Sequence, residues 1–190
     1  MILAYAGRRV DAAADSGTPS TEPRFPIGNV VRVAREVERV LAELKPSTVV
    51  GSAACGADLL VLEAAGRLGM RRRIILPFDR ATFRASSVTD RPGDWGARFD
   101  AAIDEVSAEG DLVELALDAK DDATYMQANV EIFRQAETVA RSTGEDCRAL
   151  VIWNRVTRGS GDVTEAFFTE AARRGWSPEV IDTLAATRGR

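Results

Sequence analysis

Three short stretches hold residue types suited to gripping an anion. Residues 51–58 read GSAACGAD, a run of small side chains closed by an aspartate. If a helix starts near Gly56–Asp58, its free N–H groups and positive dipole end favour an anion there, and the small side chains at Ser52, Ala54 and Gly56 leave the backbone open to a phosphate. Asp58 then either caps the helix or accepts hydrogen bonds from a ribose; a tight packing turn with Asp58 as cap is the competing reading. The stretch is no Walker loop, because Ala57 and Asp58 stand where lysine and a hydroxyl residue are required. Gly7-Arg8-Arg9 is the second candidate, a glycine followed by two forked donors, or else a solvated pair of charges. The third is GSGDVTEA, residues 159–166, where Gly159, Ser160 and Gly161 form a loop running into a helix whose first turn holds Asp162, Thr164 and Glu165. Those carboxylates also suit ordinary capping.

The chemistry open to such a site is narrowed by composition. The chain has no histidine, which excludes Ser-His-Asp hydrolysis, Cys-His chemistry and histidine-ligated metal. Catalysis would have to use carboxylates, arginines, hydroxyls or backbone amides. The two cysteines, Cys55 and Cys147, are far apart and form no CxxC pair, so no zinc ribbon or disulfide framework is indicated, and no cofactor or metal is expected. A net charge of -4 argues against a protein that coats nucleic acid. The start, MILAYAGRRVD, lacks the apolar core of a signal peptide, and no stretch reaches the length of a membrane span, so a cytoplasmic protein without membrane contact is the expectation.

The elements that would position these residues alternate. Apolar runs at 2–6, 48–50, 72–77, 111–117 and 147–153 predict strands, with 178–182 as a sixth candidate. Apolar spacings of three and four predict helices over 29–44, from the 51–58 turn to about 68, and over 97–108, 125–141 and 162–174. Residues 11–27 and 79–96 read as loops; the stretch after the third strand mixes Arg80, Arg84, Arg91 and Arg98 with Phe78, Phe83, Trp95 and Phe99, as a lid or wall would, or else a surface excursion with its own aromatic cluster. With 190 residues, one domain is expected. The strands are near-continuous apolar runs, as in a sheet covered on both sides. The fold class is therefore α/β: a doubly wound, mostly parallel Rossmann-like sheet of five or six strands with helices on both faces. Ligands of such sheets sit beyond the carboxyl ends of the strands, where all three candidate stretches fall.

Two of the stretches resemble a known superfamily. GSAACGAD is similar to the SGxAxGxD turn of the DNA-processing protein A family, with the first glycine and serine exchanged. GSGDVTEA resembles the GGxGTxxE motif of the "lonely guy" phosphoribohydrolases, matching at Gly161 and Glu165, with Asp162 in place of the threonine. Both families belong to the Rossmann-like SLOG superfamily, whose members bind nucleotides and their derivatives. The resemblance implies a nucleotide pocket between Ser52–Asp58 and Gly159–Glu165, with Asn129 at its side. It implies binding or sensing of a nucleotide derivative; alternatively, N-glycosidic hydrolysis of a nucleoside monophosphate with Glu165 and Arg84 as catalytic groups; or single-stranded DNA binding, which the acidic balance opposes. A homodimer pairing through helices is one assembly open to this architecture. Gly56→Val is expected to block phosphate approach and strain the turn.

Overall fold

A computed structural model describes residues 1–13, 22–118 and 121–185. Six strands, β1 (Ile2–Gly7), β2 (Thr48–Gly51), β3 (Arg71–Leu76), β4 (Leu112–Glu114), β5 (Cys147–Ile152) and β6 (Glu179–Ile181), form one sheet in the order β4-β3-β2-β1-β5-β6. Every pairing is parallel. The expected doubly wound α/β sheet is therefore the fold.

Period-two alternation sends the two sides of each strand into different cores. Leu3, Tyr5, Val49, Ile74 and Leu76 face one layer, formed by α1 (Val30–Leu44), α2 (Ala57–Arg67) and α4 (Trp95–Ala108). Ile2, Ala4, Val50, Ile75 and Val151 face the other, formed by α5 (Asp122–Thr143) and α6 (Val163–Arg173). Helix α1 buries Val33, Val37, Val40 and Leu41 at helical spacing and stops at Lys45, which takes a left-handed φ of 50° just before Pro46. Helix α2 is buried nearly all round, lying against β1 to β3 beneath α1 and α4. Helix α5 is started by the Asp121 carboxylate, which accepts the Thr124 N–H, and ends at Gly144 with φ 71°.

Two elements differ from the sequence expectation. The stretch 79–96 contains a helix, α3 (Arg80–Ser87), begun by Asp79 accepting the Thr82 N–H. Its single apolar anchor, Phe83, gives too little periodicity to betray a helix, although Asp79 and Thr82 are a capping signal. Strand β4 is shorter than 111–117, because Ala116 turns to φ 51° and breaks the extended run. Of the expected loop 11–27, residues 14–21 lie outside the described residues.

The winding sets the site. Connections leaving β1, β2 and β3 cover one face, and those leaving β4 and β5 cover the other. The strand order therefore reverses between β1 and β5, and the crevice beyond their carboxyl ends is where a doubly wound sheet receives a ligand. Among the described residues no helix is long and apolar enough to cross a membrane.

Candidate functional site

A pocket of about 200 Å³ opens at this reversal point, over the ends of β1 and β2 and against the first turns of α5 and α6. Its floor is made by close chain-on-chain packing. The Tyr5 hydroxyl donates to the Ser52 carbonyl at 2.7 Å, and a Cβ on Gly51 would lie 2.4 Å from the Tyr5 ring. A Cβ on Gly7 would meet that of Ala57 at 2.3 Å. Gly56 has φ 92°, and a Cβ there would stand 2.8 Å from the Val10 nitrogen and 2.9 Å from the Arg8 carbonyl oxygen. The Ala57 N–H donates to that same Arg8 carbonyl at 3.1 Å. The small residues thus let the β2–α2 turn lie against the exit of β1, and the opening N–H of α2 is spent on the chain itself. Gly56 does not line the pocket.

Asp58 does line it. Its carboxylate folds back to accept the Ala54 N–H at 3.1 Å, while its other oxygen, Oδ1, is buried without a partner. The residue is 7% exposed. Burial pushes its carboxyl up to about 7, against the opposing pull of the Ala54 and Gly7 amides and the charge of Arg9. The Tyr5 phenol is pushed up as well, by burial first and by the neighbouring Asp58 second. Ser52 Oγ, also on the floor, is a second buried oxygen without a partner. Unsatisfied buried polar atoms are rare in folded proteins, and two in one pocket mark a place where a ligand's polar groups fit.

The walls are aromatic and polar. Phe83 and Ser87 come from α3, and Tyr125 and Asn129 from α5. Tyr125 Oη and Ser87 Oγ are hydrogen-bonded at 2.9 Å, and Phe78 meets the Tyr125 ring edge-on at a centroid distance of 5.8 Å. Asn129 Nδ2 donates to the Val163 carbonyl at 3.0 Å, tying α5 to the start of α6, and buried Thr164 completes that side.

Arginines surround the mouth. Arg9 pairs with Asp90 at 2.8 Å, and Arg91 adjoins the same carboxylate. Across from them the lining includes Arg24 and Arg158. The Arg24 guanidinium has no hydrogen bond or ion pair among the described residues. Its proton affinity is lowered by burial first, then by repulsion from Arg158 and Arg8, with Asp11 and Asp162 partly offsetting this.

The GSGDVTEA stretch is placed differently from the candidates above. The Asp162 carboxylate caps α6, accepting the Thr164 and Glu165 N–H groups at 3.1 Å each. It also takes both terminal nitrogens of Arg8 at 2.7 Å. Arg8 is 5% exposed, donates further to the Val156 carbonyl and lies over the Trp153 ring. Burial works against the Asp162 charge, but Arg8 and the backbone N–H groups outweigh it and hold the carboxyl below its usual range. The anion at this helix N-terminus is therefore the protein's own. Glu165 is bonded by the Thr157 hydroxyl, and Gly159 and Ser160 are exposed. A Cβ on Gly161 would meet Asp122. None of Gly159, Ser160, Gly161, Asp162 and Glu165 lines the pocket, nor does Arg84, whose guanidinium is bound to Asp100 at 3.0–3.1 Å.

Of the sequence candidates, Gly7, Arg8, Arg9, Ser52, Ala54, Asp58, Asn129 and Thr164 come together around the pocket. Tyr5, Tyr125, Arg24 and Arg158 also line it without having been singled out. Tyr5 is hidden within an apolar strand, and Arg24 within a stretch whose composition reads as loop. No group of three or more carboxylates, cysteines or histidines among the described residues is arranged to hold a metal. No protein-family model matches the chain, and a search of curated proteins gives no match.

Proposed function

We propose that the chain binds a nucleotide or nucleotide-derived small molecule in this pocket, as a binding or sensing domain of SLOG type. One observation carries the reading: a buried carboxylate with an unpartnered oxygen lies at the floor of a switch-point pocket that is rimmed by arginines. A ribose or base offers donors for the floor, an aromatic side chain such as Tyr125 can pack on a base, and guanidinium groups suit a phosphate. The motif resemblance points to the same ligand class.

Hydrolysis of an N-glycosidic bond is the second reading, and one observation favours it. A carboxyl displaced to about 7 can hold or release a proton at neutral pH, as a general acid or base must. The carboxylate that would act is then Asp58 rather than Glu165, and Arg84 has no part in it. Binding remains the preferred reading, since both groups of the motif-based mechanism lie outside the pocket lining.

Calorimetric titration with nucleoside 5′-phosphates, together with chromatographic assay of free base, tests both. Saturable binding of one nucleotide class without base release is expected. Base release that disappears in Asp58→Asn would establish the enzymatic reading, and no binding of any nucleotide would overturn both.

A further inference from the structure

The pocket's two ends are opposite in charge, and this fixes how a ligand lies in it. We infer that the ligand enters with its hydrogen-bond-donating end, ribose or base, inward on Asp58 and Ser52, and leaves its phosphate outward at the mouth on Arg24 and Arg158. The inference rests on the nucleotide reading above and adds the ligand's polarity. It reverses the arrangement in which a phosphate sits on the small-residue turn at a helix N-terminus.

The floor cannot take the phosphate. The first N–H of α2 is given to the Arg8 carbonyl, and the Asp58 carboxylate lies at the same turn, accepting the Ala54 N–H. A phosphate there would lie against the buried Asp58 carboxyl, whose ionised form repels it most strongly in so dry a place. Helix α6 offers no better seat, because Asp162 already fills its N-terminus and is neutralised by Arg8. Of the atoms left over at the floor, Asp58 Oδ1 takes a donor from the ligand, and Ser52 Oγ can accept or donate beside it.

The mouth is built for the anion. Arg24 stands on a clamped backbone: the Asp11 carboxylate accepts the N–H groups of Arg24 and Phe25 at 3.1 Å each, the Thr183 hydroxyl bonds the Arg24 carbonyl, and the Phe25 side chain is fully buried. That much support fixes a residue whose own guanidinium binds nothing among the described residues. The Arg158 guanidinium is 3.9 Å from the Asp122 carboxylate, too long for a hydrogen bond, and the one bond it donates among the described residues, to the Gly161 carbonyl, is 3.4 Å. The Arg24 proton affinity is lowered by burial first and then by repulsion from Arg158 and Arg8, of which Arg8 is already paired. An anion between Arg24 and Arg158 relieves that repulsion. Arg9, by contrast, is held by Asp90 and the Ser86 carbonyl.

The test compares nucleosides, their 5′-phosphates and inorganic pyrophosphate by calorimetry on the full chain. The parent should prefer each nucleotide over its nucleoside by roughly tenfold or more, the worth of a charge-assisted bond. Arg24→Ala, whose lost side chain has no partner among the described residues, should lower that ratio severalfold and weaken pyrophosphate, with nucleoside affinity little changed. Asp58→Asn should weaken nucleoside and nucleotide by the same factor, keep the ratio, and leave pyrophosphate binding intact. Parent-like amide spectra of both variants establish that they are folded. A ratio that survives Arg24→Ala, or collapses in Asp58→Asn, overturns the polarity while leaving the nucleotide reading in place. A parent that binds neither nucleosides nor nucleotides overturns that reading and the polarity with it.

Discussion

Asp58→Asn should stabilise the protein, and by an amount that depends on pH. The folded chain holds the Asp58 proton up to about 7, against an ordinary value of 3.8, because burial penalises the charge more than two backbone N–H groups and Arg9 favour it. Below about 3.8 the folded and unfolded chains both carry the proton, and the group has no effect. Between 3.8 and about 7 the folded chain carries one proton more, so stability falls as pH rises. Above about 7 both states are ionised, and the penalty stays constant. At about 1.36 kcal/mol per pH unit the displacement amounts to about 4 kcal/mol, a ceiling that any hydration of the pocket floor lowers. Asparagine keeps the shape and the Ala54 bond but cannot ionise. Urea denaturation of parent and variant from pH 4 to pH 8.5 should therefore show curves that nearly meet at the acid end and separate, with the variant more stable, towards pH 8. A variant less stable than the parent at pH 8, or a difference independent of pH, would refute the claim that this carboxylate is buried and under-satisfied.

Three further outcomes follow from the packing around the pocket. Arg8→Ala leaves Asp162 buried without its partner and should cost about 3–5 kcal/mol in denaturant melts, with the loss shrinking as acid protonates Asp162. Gly56→Ala places a Cβ against backbone atoms at a φ of 92° and should cost about 1–3 kcal/mol, while the folded fraction keeps its ligand affinity, since the residue packs on the chain and not on the ligand. The thiols of buried Cys55 and half-buried Cys147 are pushed up to about 12 and about 11, chiefly by burial, so a thiol reagent at pH 7.5 should label Cys55 much faster in urea than in buffer and Cys147 by a smaller factor, and comparable rates for Cys55 would contradict its burial.

Much of the architecture was legible because strand and helix periods differ. Apolar runs such as RRIIL and CRALVI can only be strands between helices, and their alternation fixes a parallel sheet and the position of its ligand crevice. Half of the site was legible for the same reason, since Gly7 ends β1 and Ser52, Ala54 and Asp58 run from the end of β2 into the first turn of α2. What short motifs could not convey is which groups are already occupied. Asp162 and Arg8 each have the chemistry of a phosphate-site residue, yet they meet each other across 154 positions of sequence. Gly56 looks like an opening for a ligand, but the space beside it holds the Arg8 carbonyl. Conversely, Arg24 carries no local signal; its significance comes from Asp11 and Thr183, distant residues that hold its backbone while its guanidinium has no partner among the described residues.

The central claim, a nucleotide-type ligand on the Asp58 floor, is tested most directly by mapping backbone amide shifts in ¹⁵N-labelled protein titrated with nucleoside 5′-phosphates. The account predicts saturable shifts concentrated at Gly7, Ser52–Asp58, Tyr125–Asn129, Arg24 and Arg158, with the exposed loop at Gly159–Gly161 moving less. Shifts centred on that loop, or no saturable shift with any nucleotide, would contradict it.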